Sequence, residues 1–332
     1  MRAIVLAAGL GTRLRPYSDL LPKPLFPILG VPTLAWSLAA LRQAGVTDVD
    51  VNLHHLPDAI TAWLGDGSRL GLTVEYSREP AILGTGGAIA AAMRGRRDDG
   101  PLLVHNGDIF HDWDLSRLVS AGPVAMAVTD RQDIDPSDRR VELDSMGHVI
   151  GIRGLPVSRQ GRRVVFGGVS LLDWSMVMRL SAAMESTRAR VQTQACLVAD
   201  GLIPKLSEGE VVEAVEFPGL WYCDTGTAHS YLELNFRALG DVRGLLGRRG
   251  FDVPDEVEAG VFISRGATVG RGVRMRGPVF LADGARIDDL AVVGPDAVVS
   301  GRIARGAVVT RAVVMQGATA SSNATGIVMK AG

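Results

Sequence analysis

Residues 6–25 read LAAGLGTRLRPYSDLLPKPL. The stretch closes a short apolar run, Ala3–Ala8, with two glycines two apart, Gly9 and Gly11, and Arg13 follows at once. A short β-branched run ended by glycine predicts a buried strand. Glycines at the end of such a strand let backbone amides approach anionic oxygens, so the loop reads as a phosphate loop. Two common kinds are excluded. The nucleotide-hydrolase loop needs G-x-x-x-x-G-K-[ST], which is absent. The dinucleotide fingerprint needs a third glycine where Leu14 stands, and an acid at the end of the second strand, where Asn52 stands. What remains is G-x-G-T-R followed by P-K-P. Arg13 can fork onto two phosphate oxygens. Lys23, between Pro22 and Pro24, can place a compact charge on a further phosphate. The chain's basic residues are otherwise almost all arginine; only Lys23, Lys205 and Lys330 are lysine.

Outward from this loop, apolar runs alternate with helical patterns. Pro32–Ala44 predicts a helix with Leu34, Leu38 and Leu41 on one face and Gly45 as its stop. Val46–Leu53 predicts a strand, Pro57–Leu64 a helix, Leu72–Tyr76 a strand, Gly87–Met93 a helix and Leu102–His105 a strand. Such alternation argues for an α/β domain with a mixed, mostly parallel sheet. Residues 141–170 read as antiparallel additions, with turns at Asp144–Gly147 and Arg159–Gly161. A helical stretch near 187–201, strands near 211–223 and a helix over Ala228–Leu239 complete a domain expected over residues 1–240, with 241–250 as linker.

From residue 251 to 332 the texture changes. Val257, Ile263, Val269, Met275, Leu281, Ile287, Val293 and Val299 recur every six residues. Val261, Ala267, Val273, Val279, Ala285, Ala291 and Ala297 stand two residues before their partners. The phase slips by four after Val299 and resumes at Ile303, Val309 and Met315. Neither a helix nor a simple strand has this period. It predicts a left-handed parallel β-helix of hexapeptide repeats whose apolar residues point into a narrow prism.

Composition narrows the function. The chain has 332 residues, is 47% hydrophobic and carries a formal net charge of −1. That balance offers no footprint for nucleic acid or an anionic membrane. No apolar run approaches a membrane span, and Ala3–Ala8 is too short for a signal-peptide core. Cys196 and Cys223 suggest neither a disulfide framework nor a zinc site. A cytoplasmic protein is expected.

Two further stretches supply carboxylates. Asn106-Gly107-Asp108 follows a predicted strand, and Asp224 stands in WYCDTGT at residues 221–227. Paired carboxylates beside phosphates suit Mg²⁺, which takes oxygen ligands and keeps some waters. Glu79–Gly87 is a second glycine-rich turn opening a helix, placed to meet a base or ribose.

Together, LAAGLGTRLRP, LPKPLFP, LGTGGAI, HNGD and WYCDTGT, in that order, resemble the sugar-1-phosphate nucleotidyltransferases. The resemblance covers the whole chain and implies a Rossmann-like nucleotidyltransferase domain. The repeat tail is similar to that of mannose-1-phosphate guanylyltransferases and of some glucose-1-phosphate enzymes. The stretches LGDGSRLGLTVEYS and NGDIFHDWDL are closer to N-acetylmuramate-1-phosphate uridylyltransferases. The resemblance implies that Leu6, Ala8, Gly9, Gly11, Thr12 and Asn106 line the nucleotide, with Gly84, Thr85 and Gly86 on the base. It implies that Arg13 holds the leaving pyrophosphate, Lys23 sits between the α-phosphate and the sugar phosphate, and Asp108 and Asp224 bind Mg²⁺. The family's Glu-Lys sugar pair is missing from HVIGIRGLPVSRQGRRVVFGGVS at residues 148–170, where Gly168 matches a glycine near the sugar. The expected partners are a nucleoside triphosphate, a sugar 1-phosphate and further copies of the chain through the β-helix.

Two rival classes are weaker. Hexapeptide acyltransferases use a histidine in the β-helix, whereas His54, His55, His105, His111, His148 and His229 all precede residue 250. A non-catalytic regulatory subunit is expected to lose catalytic residues, and Arg13, Lys23, Asp108 and Asp224 are all present.

Overall fold

A computed structural model describes residues 1–97, 100–130, 139–155, 161–188, 194–219 and 221–329. The chain divides into two compact units: residues 1–10 with 37–222, and residues 11–36 with 223–332.

The first unit is built on a mixed sheet. Strands β1 (Arg2–Leu6), β2 (Asp48–Leu53), β3 (Thr73–Arg78) and β4 (Leu102–Asn106) run parallel in the order β4-β1-β2-β3. Their apolar residues are almost continuous because a parallel sheet is covered on both faces; Ala3, Ile4, Val5, Val49, Val51 and Leu103 are fully buried. Beyond β4 the sheet turns antiparallel, as expected. Strands β5 (Ala125–Thr129), β6 (Arg140–Leu143), β7 (Val149–Ile152), β8 (Arg162–Leu172) and β9 (Glu213–Glu216) follow. The long β8 pairs antiparallel with β4, β5 and β6, and β9 pairs parallel with β5. A bulge at Gly167-Gly168 breaks the β8–β5 register. Within β2, Asp50 is buried between Arg2 and Arg96. Burial raises its pKa, against the pull of the two guanidinium groups.

Helix α1 (Thr33–Gln43) begins beside Pro32, and Leu34, Leu38 and Leu41 are fully buried. Helix α2 spans Pro57–Leu64 and α3 spans Gly84–Ala92, starting three residues before the expected Gly87. Helix α4 (Trp174–Arg188) replaces part of what the sequence reading left without an element, and a π-helical turn covers Leu197–Leu202. Part of the expected 187–201 helix and of the Arg159–Gly161 turn lies outside the described residues.

In the second unit the hexapeptide period becomes a parallel coil. Val261–Ile263 pairs with Val279–Leu281, and that strand with Ala297–Val299, so one coil takes three repeats. Two further ladders run through Thr268, Arg286, Arg302 and Thr319, and through Met275, Val293 and Val309. Leu281, Ile287, Val293, Val299, Ile303 and Val309 fill the interior with Ala285, Ala291 and Ala297. The phase slip after Val299 is present, since Ile287 pairs with Ile303, but its last expected position moves by one: Val299 pairs with Val314, which joins the interior in place of Met315. Val257 departs from the expectation. It is 55% exposed, on Asp255–Glu258, a strand antiparallel to Val261–Ile263 rather than a rung of the coil. Val269, at the open first coil, is 43% exposed.

Helix α5 (Ala228–Ala238) starts at a capping box between Thr227 and Ser230, and α6 (Val242–Arg249) occupies the stretch read as a linker. The Tyr231 hydroxyl of α5 donates to the Pro27 carbonyl at 2.7 Å, and burial raises its pKa. No described helix is long and apolar enough to cross a membrane.

Candidate active site

In open parallel sheets ligands gather at the carboxyl ends of strands. There the first unit aligns Leu6 of β1 with Asn106 of β4 on one side and Asn52 of β2 on the other. The Gly107 N–H donates to the Leu6 carbonyl at 2.9 Å, and a Cβ on Gly107 would come within 2.8 Å of that oxygen. Only glycine lets the chain fold back over β1 here, and the fold-back brings Asn106 and Asp108, both half-buried, to the strand ends. Gly168 adopts φ +78°, and a Cβ there would lie 3.1 Å from Asn106 Nδ2. Gly168 and Asn106 are therefore neighbours. Gly9 is exposed, with open space where a Cβ would go.

Beneath Asn106–Asp108 runs a buried stack that the sequence reading missed. His105 and His111 meet through their Nε2 atoms at 2.9 Å. The His111 ring stacks on Trp113, which stacks in turn on Phe217 and Tyr222. A Cβ on Gly167 would fall 2.4 Å from Trp113 Cη2, so the bulge glycine makes room for the indole. The aromatics are far apart in sequence, and no local period announces them.

The second glycine-rich turn packs against residues 195–197. Gly84 has φ +73°, and a Cβ there would stand 2.5 Å from the Ala195 carbonyl oxygen. The Gly86 N–H donates to the same carbonyl at 2.8 Å, and Thr85 Oγ1 accepts the Leu197 N–H at 2.9 Å. A buried polar chain ties this turn to the first loop. The Ala7 N–H donates to Asn52 Oδ1 (2.7 Å), Asn52 Nδ2 to Glu79 Oε1 (2.8 Å), and the Leu83 N–H to Glu79 Oε2 (3.1 Å). Asn52 stood out in the sequence only as a missing acid, and Glu79 only as the start of a turn.

The second unit holds the two cations expected to meet phosphates. Gly11 takes the left-handed conformation, φ +63°, before the turn Thr12–Leu14. Its carbonyl accepts from Ser18 Oγ at 2.8 Å, and Leu14 is fully buried, so the loop is anchored while Thr12 and Arg13 stay exposed. Lys23 is buried, with Nζ 3.2 Å from Asp224 Oδ1. Arg13 Nη2 lies 3.7 Å from Asp224 Oδ2. A Cβ on Gly226 would come within 2.7 Å of Arg13 Nη2. One carboxylate thus draws together the two cations expected to meet phosphates, and Gly226 leaves room for the guanidinium.

Among the described residues no three His, Cys, Asp or Glu side chains gather into a metal cluster. The donors expected for Mg²⁺ number two, Asp108 in the first unit and Asp224 in the second. Each is a hard oxygen donor of the kind Mg²⁺ takes, an ion that keeps several waters and is commonly completed by substrate phosphates.

The sequence profile of the family described as nucleotidyl transferase matches residues 2–239. Mannose-1-phosphate guanylyltransferase of Mycobacterium tuberculosis is 28% identical over 316 residues, covering 88% of this chain and 82% of that protein. N-acetylmuramate alpha-1-phosphate uridylyltransferase of Neisseria meningitidis serogroup B is 44% identical over 117 residues, covering 35% of this chain and 50% of that protein. A solved Bacillus anthracis structure described as a glucose-1-phosphate thymidylyltransferase shares the fold, with a TM-score of 0.58 at 21% identity. It covers 71% of this chain and 94% of its own.

Proposed function

The chain belongs to the nucleotidyl transferase family, and from that premise we propose that it transfers a nucleotidyl group from a nucleoside triphosphate to a sugar 1-phosphate, releasing pyrophosphate. The observation that carries this reading is the Asp224 carboxylate with Lys23 at 3.2 Å and Arg13 at 3.7 Å. The finer reading is GTP with mannose 1-phosphate, supported by the 28% identity that extends over 88% of this chain. A second reading is uridylyl or thymidylyl transfer to another hexose 1-phosphate or to N-acetylmuramate 1-phosphate; the 44% identity over 117 residues favours UTP with N-acetylmuramate 1-phosphate among these.

In this reaction the sugar phosphate oxygen attacks the α-phosphorus in line. A phosphate monoester has its second pKa near ~6, so the nucleophile is already largely ionised at neutral pH. No general base is required. The barrier is anion meeting anion, which is lowered by positioning and charge neutralisation. Lys23, a compact buried cation, bridges the α-phosphate and the incoming sugar phosphate. Arg13, exposed and forked, takes the leaving pyrophosphate. Leu6, Ala8, Gly9, Gly11, Thr12 and Asn106 line the nucleotide, Gly84, Thr85 and Gly86 meet the base, and Gly168 borders the sugar. Asp108 and Asp224 are the donors for Mg²⁺, which when bound neutralises phosphate charge. Copies of the chain associate through the β-helix, which light scattering would detect as a mass above one chain.

The test is a matrix of nucleoside triphosphates against sugar 1-phosphates, read by pyrophosphate release. GTP with mannose 1-phosphate should be the fastest pair. A fastest pair containing UTP and N-acetylmuramate 1-phosphate would select the second reading. Nucleotide-sugar binding without release from any pair would mark a regulatory subunit instead.

A further inference from the structure

Two almost fully buried polar side chains, Asn52 at 4% and Glu79 at 5% exposure, have no part in the phosphate chemistry. We infer that they are positioning residues for the nucleotide: a directional brace that fixes the spacing between the Ala7–Gly9 wall and the Leu83–Gly86 wall of the nucleotide site. The inference rests on the proposed function, which assigns the nucleotide to the first wall and its base to the second.

The geometry supports this on two counts. First, the brace ends on backbone atoms of the two walls and nowhere else. Ala7 lies between Leu6 and Ala8, and Leu83 immediately precedes Gly84. Glu79 is itself pinned to the end of β2. Its N–H donates to the Leu53 carbonyl at 2.7 Å, and its carbonyl faces His54 Nδ1 at 2.8 Å. The side chain then spans from Asn52 to Leu83. The second wall is also held from behind, since the Ala195 N–H donates to the Leu83 carbonyl at 2.9 Å. Moving either end of the brace therefore moves a loop that meets the nucleotide.

Second, the brace has a sense. Three donors, the Ala7 N–H, Asn52 Nδ2 and the Leu83 N–H, meet three acceptors, Asn52 Oδ1 and both Glu79 oxygens. One amide and one carboxylate satisfy all three bonds. Two amides put a donor against a donor wherever either is flipped. Two carboxylates put an acceptor against an acceptor. A buried group left unmatched is expensive. Exchanging the two groups restores the count. A carboxylate at 52 accepts from Ala7 and from an amide at 79, whose oxygen accepts from Leu83.

That exchange is the test. Wild type, Glu79→Gln, Asn52→Asp and the double variant are titrated calorimetrically with GTP, with UTP and with mannose 1-phosphate. Melting temperature and pyrophosphate release are followed alongside. Each single variant should weaken triphosphate binding by about tenfold or more, the scale of one unmatched buried hydrogen bond. Sugar phosphate affinity should stay within about twofold, and the double variant should recover most of the triphosphate affinity. Unchanged triphosphate affinity in the single variants overturns the inference. So does an equal loss of both ligands without recovery in the double variant, since a merely structural pair would behave that way. Triphosphate binding by wild type without pyrophosphate release would instead sink the proposed reaction and leave the brace standing. No triphosphate binding by wild type would remove both.

Discussion

Lys23 is a buried lysine whose charge is set by geometry as much as by sign, and its replacement by arginine separates the two. The Nζ reaches Asp224 at 3.2 Å from a side chain only 8% exposed. A guanidinium is wider and planar, so it cannot occupy the same point. Lys23→Arg should lower turnover by roughly 100-fold or more, the scale of losing one preorganised charge contact. Its melting temperature should stay near that of wild type. Turnover within a few-fold of wild type would remove the point-charge role. Asp224→Asn should also lower turnover by orders of magnitude, and excess Mg²⁺ should not restore it, because the same carboxylate orients Lys23 and Arg13. At this scale the sequence was most legible where residues act through a local pattern. Gly11, Arg13 and Lys23 fall within one loop. The bond from Lys23 to Asp224 spans 201 residues, and no spacing rule reaches that far. Asn52 and Glu79 were illegible for the same reason: their meaning lies in each other.

At the scale of elements, the long bent β8 and the aromatic stack are one device. Gly167 opens the space that Trp113 fills, and Trp113 carries His111, Phe217 and Tyr222 on its faces. Trp113→Ala should cost ~3–5 kcal/mol, the range for emptying a buried aromatic site. Urea unfolding followed by circular dichroism measures it, and a loss below about 1 kcal/mol would mean that the stack is dispensable. In the β-helix, Asp288 sits between Arg286 and Arg302 on neighbouring coils. The Arg302 hydrogen bond, then its charge and the Arg286 contacts, hold the Asp288 carboxyl below its ordinary value of 3.8. A lowered folded-state pKa gives stability that is present above that ordinary value and lost as pH falls through the lowered one. Melting temperatures at pH values falling from about 5 to about 2 should therefore drop less steeply in Asp288→Asn than in wild type. Equal slopes would show that the clamp adds nothing. The coil itself was legible because a period of six has one structural solution. Its first turn was not, because Val257 keeps the period while its strand runs antiparallel. Helix α4 carried a readable stripe in Met176, Val177, Leu180 and Met184, all buried.

At the scale of the whole molecule, the sequence suggested a cut near residue 240, with one domain for chemistry and one for the repeat. By contact, the chain clusters into two compact units. Residues 11–36, which include Arg13 and Lys23, cluster with residues 223–332 rather than with the sheet that precedes and follows them in sequence. A linear reading cannot find this, because compositional texture marks where a repeat begins but not which segment packs on it. The contacts are specific. Trp36 meets Phe251 edge-on, with ring centroids 5.0 Å apart, an arrangement worth about 0.5–1.5 kcal/mol beyond the area it buries. Gly30, at φ +73°, sits so close to the coil that a Cβ would fall 2.6 Å from Ala282 Cβ. Asn235 Oδ1 accepts the Leu29 N–H at 3.2 Å, completing a cradle for the segment that follows Lys23. The repeat is therefore part of what holds the cationic loop. A chain ending at residue 240 should melt well below the full chain, lose most of its turnover and be cut by protease within residues 11–36. Gly30→Ala tests the same contact without truncation. It adds one methyl against Ala282 in a backbone conformation that disfavours any side chain. It should reproduce part of the loss in turnover while the β-helix itself stays folded, as judged by the protease resistance of residues 261–328. Full activity in both proteins would make the repeat an appendage. Loss in the truncation alone would place its effect in Trp36 and Phe251 rather than in the turn at Gly30.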